Sequence, residues 1–441
     1  MEKPFKNTLK SRFPFLCGKN LLLAVSGGLD SVVLAYLCKA AKLEFSIAHC
    51  NFNLRGEESD GDEDFVIDLA DELEVEVFIQ NFDTEAFAEE AKISIQMAAR
   101  ELRYNWFREL SDTLKFEYIL TAHHANDELE TFLINLVRGT GLEGLSGILI
   151  ENDKIVRPML NFTRKEIETY ARDNNIKWRE DSSNASTKYL RNKIRHNVVP
   201  VLEELNPQLL QGFLQTQAHL KESEALIEDY ISLIYPKVVK SGKFGYMLDI
   251  EYLKKIPNTK AILYQLLKSF GFTEWDDVHN LLDAQPGKIV YSEDYRLIKD
   301  RETLILTEIN HTEDKIYNVT EGEEVVMLPM GRVCFRDVEE IDENRDNTRI
   351  FVAKEKLQFP LKIRKWKIGD YFYPFGMKGR KKISDFFKDK KMSLPEKENT
   401  WLLCSGEEIV WVINYRADDR FAITSENQKI LKISCCLQSF S

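Results

Sequence analysis

The sequence predicts an α/β domain with a doubly wound parallel sheet, then a small helical domain and a β-rich, basic C-terminal domain. Apolar strand-like runs alternate with amphipathic helical segments in the first part of the chain, which is typical of a parallel sheet. Prolines at 200 and 207 end that pattern, and strand-like runs dominate the final part. At roughly 150 residues per domain, 441 residues exceed a single core. We predict domains at 1–206, 207–336 and 337–441.

Composition predicts a soluble globular protein of the cytoplasm. Hydrophobic residues make up 44% of the chain and charged residues 30%, an ordinary globular balance. The longest apolar run near the N-terminus, Leu21 to Val25, is too short for a membrane span or a signal peptide. The seven cysteines form no CxxC pair, and we interpret them as reduced thiols. We expect no membrane partner.

Charge is distributed unevenly along the chain. The net charge of −12 argues against a polyanionic partner, but charges beyond a Debye length of about 8 Å are largely screened, so local surfaces matter more. Segment 157–196 has ten basic residues against five acidic ones, and segment 362–391 has eleven against three. The second segment also has interleaved aromatic residues, a combination that fits RNA. The alternatives are a solvated surface for the charges and a small core for the aromatics.

The first strand, Leu21 to Val25, is followed by the loop Ser26-Gly27-Gly28-Leu29-Asp30-Ser31 and a helix at about 30–41. Two glycines allow main-chain N–H groups to approach an anion, the serines add hydroxyl donors, and the helix N-terminus adds positive charge. Such a loop suits phosphate or pyrophosphate, and Asp30 suits the accompanying Mg²⁺. No lysine follows the glycines, so this is not the GxxxxGK[ST] loop. A plain turn is the alternative.

Two further strands are predicted at about 44–50 and 75–80, with a helix between them. His49 begins the polar stretch that follows the first of these strands. Ligands of doubly wound sheets bind beyond the carboxyl ends of the strands. This rule places the loop 26–31, the stretch 49–55 and the loop after the next strand around one crevice.

The next helix, at about 93–114, places Arg100, Arg103 and Tyr104 on one side, at positions i, i+3 and i+4. One interpretation is a solvated basic face. The other is a side wall of the crevice that contacts phosphate or an incoming nucleic acid.

A strand at about 118–122 leads into His123-His124-Ala125-Asn126-Asp127-Glu128-Leu129-Glu130-Thr131 and a further helix. The pattern places Asp127 and Glu130 on one face of that helix. The opposite, buried face is expected to consist of Leu129, Phe132, Leu133, Leu136 and Val137. Two carboxylates at the end of a strand suit Mg²⁺ or an ammonium group, and complementation of the helix dipole is the alternative. The two histidines either orient phosphate or satisfy backbone groups.

The remaining elements are predicted more coarsely. Thr163 and Glu166 form a capping box for a helix that ends near 175. A long helix at about 208–234, apolar-periodic segments at 249–270 and 274–284, and three short strands between 288 and 306 suggest a helical domain with a hairpin.

Beyond these patterns, the chain resembles known proteins. The loop SGGLDS after a strand resembles the pyrophosphate loop of the N-type ATP pyrophosphatase superfamily. A larger set of motifs resembles the tRNA(Ile)-lysidine synthetase family: AARELRY at 98–104, AHHANDELET at 122–131, RGTGLEGLSGI at 138–148, RPML at 157–160, EDSSN at 180–184 and RNKIRHNVVP at 191–200. The family commonly has a second His and a Gly after the second strand, where this chain has Phe52 and Asn53, which leaves the role of position 52 open.

This resemblance implies an ATP pyrophosphatase domain and a two-step ligation on the wobble cytidine, position 34, of an isoleucine tRNA with a CAU anticodon. The base oxygen would attack the α-phosphate of ATP and release pyrophosphate. The ε-amino group of free L-lysine would then displace AMP and form lysidine, which changes codon reading from AUG to AUA. A homodimer is one option for the assembly.

The resemblance also implies roles for individual residues. Asp30, Asp127 and Arg195 would be catalytic, with Asp30 on Mg²⁺. The nucleotide would be bound by Ser26, Gly27, Gly28, Leu29, Asp30, Ser31 and His49. Asp127 and Glu130 would recognise the lysine ammonium groups, with Arg195 near the lysine or the reacting base. The tRNA would contact Arg100, Arg103, Lys378, Arg380, Lys381 and Lys382.

Two alternatives stay open at this point. A tRNA thiolation enzyme on the same ATPase fold would use a CxxC motif or a catalytic cysteine pair, and neither is convincing here. A non-catalytic tRNA-binding protein of this fold is the other, and the intact loop 26–31 and the pair Asp127 and Glu130 argue against it.

Overall fold

The computed structural model describes residues 1–180, 190–309, 315–341, 346–424 and 429–437. The chain divides into two compact units, Met1–Glu228 and Asp229–Ser441. No helix within the described residues is long and apolar enough to cross a membrane.

The first unit contains a six-stranded sheet with the order β3-β2-β1-β4-β6-β5, parallel except for β5. Its strands are β1 (Leu21–Ala24), β2 (Phe45–Asn51), β3 (Val77–Asn81), β4 (Tyr118–Leu120), β5 (Glu151–Asn152) and β6 (Ile155–Val156). The chain runs outward from β1 to β3 and then returns to place β4 on the other side of β1. The order therefore reverses between β1 and β4, and that switch point is where such sheets bind ligands. The predicted doubly wound parallel sheet is confirmed.

Helices cover both faces of this sheet. They are α1 (Glu2–Arg12), α2 (Leu29–Ala40), α3 (Glu57–Leu73), α4 (Thr84–Ala91), α5 (Ile95–Leu114), α6 (Ala125–Arg138), α7 (Leu142–Leu145) and α8 (Arg164–Asp173). Side chains of a strand alternate between faces. Leu21 and Leu23 of β1 accordingly pack with α1, α2, α3 and α8, whereas Leu22 packs on the other face with Trp106 and Phe107 of α5.

A helical extension follows the sheet. It consists of α9 (Leu190–Lys193), a π-helical turn over Ile194–Val198, α10 (Val199–Leu205) and the long α11 (Leu209–Val238), which crosses the boundary between the two units. Ile194 and Phe213 from this extension pack against Leu129 of α6, with Phe132 and Leu133 beside them.

The predicted buried face of α6 is correct only in its first turns. Leu136 and Val137, in the last turn, are 53% and 72% exposed, so their predicted burial is wrong. The reason is that the partners of α6 meet the early part of the helix, at Leu129, Phe132 and Leu133.

The second unit begins with a five-stranded antiparallel sheet of order β7-β8-β11-β10-β9. Its strands are β7 (Val239–Gly242), β8 (Gly245–Asp249), β9 (Ile289–Tyr291), β10 (Tyr295–Lys299) and β11 (Thr303–Glu308). Its helices are α12 (Ile250–Lys255), α13 (Thr259–Leu267) and α14 (Trp275–Asn280). The three predicted strands correspond to β9, β10 and β11, and the predicted helices share their core with a larger sheet than a hairpin.

The rest of the second unit is β-rich, as predicted. Its two larger sheets have the orders β12-β16-β19-β20-β21 and β13-β14-β22-β15, and β17 and β18 form a small hairpin. The strands are β12 (Tyr317–Val319), β13 (Val325–Leu328), β14 (Gly331–Val338), β15 (Arg349–Ala353), β16 (Leu361–Lys365), β17 (Tyr371–Phe372), β18 (Lys381–Lys382), β19 (Trp401–Ser405), β20 (Glu408–Val412), β21 (Arg416–Ala417) and β22 (Ile430–Leu437). The helices are α15 (Ile383–Asp389) and α16 (Leu394–Glu398).

These sheets place the predicted boundary at 336–337 inside β14. Strands β12, β13 and β14 pair with later strands, because Val333 and Phe335 alternate inward into the core of the C-terminal sheets. The sheet region at the C-terminus therefore starts near Tyr317. The division of the chain into three domains stays a prediction.

Candidate active site

The loop after β1 is a compact turn held by its own serines. Ser31 Oγ donates to the Gly28 carbonyl oxygen at 2.9 Å and accepts from the Ser26 main-chain N–H at 3.2 Å. Gly27 has a φ of +86°, a conformation that favours glycine. Gly28 is the N-cap of α2 and has no side chain; its own N–H donates to Ser26 Oγ at 3.4 Å, and within the described residues no side chain caps the N–H groups of the first turn. The sequence-predicted anion loop is therefore built as a turn with uncapped helix amides.

Asp30 lies in the first turn of α2, immediately after this loop. One carboxylate oxygen, Oδ2, accepts a hydrogen bond from Arg164 Nη1. The other, Oδ1, is buried and has no hydrogen-bond partner among the described residues, with His124 Nε2 3.5 Å away. A buried carboxylate oxygen without a donor suits a hard cation such as Mg²⁺. The residue thus fits the predicted metal role.

His49 is buried at the end of β2, and its Nδ1 lies 2.9 Å from the Val25 carbonyl oxygen. Burial lowers its pKa below the ordinary value, against a smaller opposite effect of this main-chain contact. The side chain therefore ties the end of β1 to its neighbouring strand. Its role in nucleotide binding stays a prediction.

Asp127 and Glu130 both lie in the first two turns of α6, but their surroundings differ. The Glu130 side chain is 3% exposed, and Arg195 donates to both of its oxygens, from Nε at 2.6 Å and from Nη2 at 3.0 Å. Arg191 Nε lies 3.3 Å from the same carboxylate. Asp127 is 17% exposed, and its Oδ1 lies 3.5 Å from Arg195 Nη2. Asp127 is therefore the more accessible carboxylate, and Glu130 anchors the two arginines.

His124 lies between two carboxylates, with its Nε2 3.5 Å from Asp30 Oδ1 and 3.5 Å from Asp127 Oδ2. Burial alone would lower the pKa of His124, but Asp30 and Asp127 together raise it above its ordinary value. Burial would likewise raise the pKa of Asp127, yet His124 holds that pKa below its usual range. At neutral pH Asp127 is thus a carboxylate, as recognition of a cation requires.

Whereas the pKa of His124 is raised, that of the neighbouring His123 is lowered. Burial lowers its pKa to about 4, the nearby Arg157 and Arg191 contribute in the same direction, and Asp127 opposes them. Its Nδ1 lies 3.0 Å from Thr121 Oγ1. His123 is therefore a neutral side chain beside the charged ones.

The arginines predicted for the side wall, Arg100 and Arg103, are exposed and contact aromatic rings. The Arg103 guanidinium lies 5.3 Å above the ring of Phe52, and Phe52 stacks on Phe82 with 5.7 Å between ring centroids. Arg100 lies 4.9 Å from the ring of Tyr104. Phe52, where the chain departs from the family pattern, therefore packs under the Arg103 guanidinium. The contact of Arg100 or Arg103 with tRNA stays a prediction.

Three arginines of the first unit were not singled out from the sequence. Arg164 contacts Asp30, Arg191 contacts Glu130, and Arg179 Nε donates to Asp62 at 2.9 Å while its main-chain N–H donates to the Gly27 carbonyl oxygen at 3.0 Å. A basic residue directly after the capping Thr163 was the available signal for Arg164. The sequence contains no sign of which carboxylate it meets.

The predicted basic surface of the second unit separates into exposed and paired residues. Lys378, Arg380 and Lys382 are exposed, whereas Lys381 is ion-paired with Asp389. The Arg380 guanidinium lies 5.5 Å from the ring of Tyr371, which is itself exposed. Most of the neighbouring aromatics, such as Phe372, Phe386 and Phe387, form a small core, as the alternative interpretation held. The charges remain at the surface.

Comparison with known proteins identifies the family. Family profiles match three stretches: a PP-loop domain at residues 1–202, a TilS substrate binding domain at 242–309 and a TilS substrate C-terminal domain at 361–435. The tRNA(Ile)-lysidine synthase of Parabacteroides distasonis is 42% identical over 94% of this chain and 95% of its own length. That of Bacteroides thetaiotaomicron is 39% identical over 95% of each chain.

The chain belongs to the tRNA(Ile)-lysidine synthase family. Among solved structures, the U34-tRNA thiolase NcsA from Methanococcus maripaludis aligns with a TM-score of 0.43 and 19% identity, covering 50% of this chain and 78% of that one. The resemblance stated from the motifs is confirmed, and the PP-loop domain makes the chain a user of ATP. Of the family motifs predicted from the sequence, residues 181–184 of EDSSN lie outside the described residues.

The neutral His123 of this lysidine synthase family member predicts a pH-dependent stability. The folded side chain takes up a proton only near pH 4, whereas an unfolded histidine does so near its ordinary value of 6.5, so unfolding binds a proton between these values. Stability should therefore fall as pH drops through this window, by about 2–3 kcal/mol from this group. Denaturant unfolding of His123→Asn should show a smaller fall, and the exposed His219→Asn should behave like the wild type. An equal fall in the free energy of unfolding with decreasing pH for His123→Asn and the wild type would contradict the assignment of a neutral, buried His123.

Proposed function

We propose that this chain attaches L-lysine to cytidine 34 of the CAU-anticodon isoleucine tRNA and converts ATP to AMP and pyrophosphate. One observation carries the proposal. At the switch point of the sheet, the loop before α2 lies close to the accessible carboxylate of Asp127, because His124 contacts both Asp127 and Asp30. Membership of the lysidine synthase family supports the same reaction. tRNA, ATP and lysine meet in the cytoplasm, where we place the activity.

In the first step the O2 atom of the cytidine attacks the α-phosphorus of ATP. The new oxygen–phosphorus bond forms as the bond to the bridging oxygen of the β-phosphate breaks, and pyrophosphate leaves with that electron pair. The N–H groups at the start of α2 and the hydroxyls of Ser26 and Ser31 would bind the departing pyrophosphate. Mg²⁺ held by Asp30 would neutralise phosphate charge.

In the second step the lysine amine attacks C2 of the base. The ε-ammonium first loses a proton to solvent, a carbon–nitrogen bond forms, and AMP departs with the original O2 atom. Asp127 is the carboxylate that an ammonium group can reach, since Glu130 is buried under two arginines. Glu130 therefore acts through Arg195, which it holds beside Asp127.

The wobble nucleoside itself tests the proposed function. Incubation of the wild-type chain with transcribed isoleucine tRNA, ATP, Mg²⁺ and lysine should convert cytidine 34 to lysidine, detected by mass spectrometry of the digested tRNA. Asp30→Ala should form none, because it removes the proposed metal ligand. A methionine tRNA with the same anticodon serves as the substrate control. Unmodified cytidine with the wild type would overturn the proposal, and a sulfur-containing nucleoside would favour the thiolation enzyme.

The accessible carboxylate makes a prediction about lysine. Asp127→Asn should raise the KM for lysine by about 10- to 100-fold, since a hydrogen bond to a charged group contributes about 1.5–3 kcal/mol. The KM for ATP should change by less than about threefold on the same reasoning. The matched control is Asp112→Asn, whose carboxylate pairs with Lys154 on the surface and should leave both constants unchanged. Equal increases in both KM values for Asp127→Asn would remove this residue from lysine recognition.

The exposed basic residues of the second unit make a prediction about tRNA. Replacing Lys378, Arg380 and Lys382 with alanine should weaken tRNA binding and reduce the slope of log K against log salt by about 0.7–0.9 for each phosphate that is no longer neutralised. Filter binding over a salt series measures this slope. Lys254 and Lys260, which pair with Asp283 and Asp276, are the control sites. An unchanged slope would assign the patch to an ordinary solvated surface.

A further inference from the structure

We propose that Arg164 is a phosphate ligand of the bound nucleotide, and that in the free protein its guanidinium pairs with Asp30, the carboxylate that would hold Mg²⁺. This inference rests on the proposed function of the loop at residues 26–31. It assigns a substrate-contacting role to a side chain that lies outside the sequence motifs.

The backbone at Arg164 is fixed from two directions. Thr163 and Glu166 form a capping box at the start of α8, in which each side chain accepts from the main-chain N–H of the other. The Arg164 main-chain N–H donates to Asn126 Oδ1 at 2.9 Å, and the N–H of Ala125 donates to the Phe162 carbonyl oxygen at 2.9 Å. These contacts join the first turns of α8 and α6. The guanidinium can therefore change its position only by rotation of the side chain.

That guanidinium lies at the edge of the crevice and not within the core. The Arg164 side chain is 46% exposed, and Asp30 is its only hydrogen-bond or ion-pair partner among the described residues. Asp30 is itself part of the loop at residues 26–31, which we propose to bind pyrophosphate. An arginine has five N–H donors, and most of these are left to bind a second anion.

The other arginines near the loop are held differently. Arg195 and Arg191 contact Glu130, whose side chain is 3% exposed. Arg179 and Arg55 both donate to Asp62, which is also buried. Those two carboxylates are enclosed by guanidinium groups on both sides. Asp30 differs because its second oxygen is buried without a hydrogen bond among the described residues, and it faces His124 Nε2 at 3.5 Å and not a second guanidinium.

This difference decides what a divalent cation would do. A doubly charged ion bound to Asp30 would neutralise the carboxylate charge that now attracts Arg164. It would also repel the guanidinium at short range. The phosphates of ATP, which arrive with the cation, would then be the nearest anions. A guanidinium binds phosphate through two parallel N–H bonds, so the exchange of partners is favourable. Arg164 would then stabilise the charge that develops on the departing pyrophosphate.

The same contact has a role before the nucleotide binds. A buried carboxylate without a cation is costly, and the Arg164 guanidinium reduces that cost at Asp30. The pair therefore keeps the loop end in place in the free protein and competes with metal binding. This competition is the feature that separates the proposal from a purely structural ion pair.

Two equilibrium measurements on Arg164→Ala test the proposal, both without tRNA or lysine. Without nucleotide, Mn²⁺ binding followed by electron paramagnetic resonance should become about threefold to tenfold tighter, because a competing cation near the surface has been removed. The affinity for the Mg²⁺ complex of α,β-methylene-ATP, measured by calorimetry, should fall by about 10- to 100-fold, because the variant cannot form charge-assisted bonds to phosphate. Opposite changes in these two affinities are the expected result.

Further variants keep the test decisive. Arg164→Lys should restore the wild-type Mn²⁺ affinity but only part of the nucleotide affinity, since lysine keeps the charge and loses the fork geometry. Arg172→Ala, on the same helix and in a surface pair with Glu168, should leave both affinities unchanged. Nucleotide affinity within twofold of wild type, or a joint fall of both affinities in the alanine and lysine variants, would overturn the proposal. The lysidine assay on the wild type decides the proposed function separately.

Discussion

The structure depends on one electrostatic constraint, the contact of the Asp30 carboxylate in the first turn of α2 with His124 and Arg164, which lie at the starts of α6 and α8. Helix α2 starts at the loop after β1, α6 starts after β4, and α8 is joined to α6 through Asn126. Each N-terminus carries partial positive charge, which favours carboxylates in the first turn. Asp30 and Asp127 occupy such positions. Because the sheet reverses its order between β1 and β4, the helices that follow these strands must start at this point.

The charges at this point are paired through shared contacts. Asp30 pairs with Arg164, Asp127 and Glu130 share Arg195, Glu130 also contacts Arg191, and His124 lies between Asp30 and Asp127. Removal of an arginine from Glu130, whose side chain is 3% exposed, would leave a buried charge with fewer partners, which is destabilising. The three carboxylates also differ in how accessible they are to a ligand. Glu130 is buried and fully engaged, whereas Asp127 keeps solvent access and Asp30 keeps one oxygen without a donor among the described residues.

Much of this arrangement could be predicted from the sequence, because local patterns determine it. Apolar runs at regular spacing predicted the parallel strands, and the glycines at 27 and 28 predicted the anion turn. Arg164 was missed because its partner is set by the approach of α8 to α2, which no local pattern records. Leu136 and Val137 were wrongly expected to be buried because the extent of packing along α6 depends on where Phe213 meets it. The predicted boundary at 336–337 falls within β14, because the pairing of this strand with β22 is a long-range contact that no local pattern shows.

The geometry also explains how two reactions can share one crevice. The loop that we propose to bind pyrophosphate follows β1, and Asp127, which we propose to recognise lysine, follows β4; these strands are direct neighbours in the sheet. His124 bridges the two sides, with one nitrogen 3.5 Å from both Asp30 and Asp127. A base positioned between the two loops could therefore be adenylated from one side and attacked by the amine from the other. In the proposed mechanism the pyrophosphate and the lysine therefore share no binding residue, so that the first product could leave while the second substrate is bound.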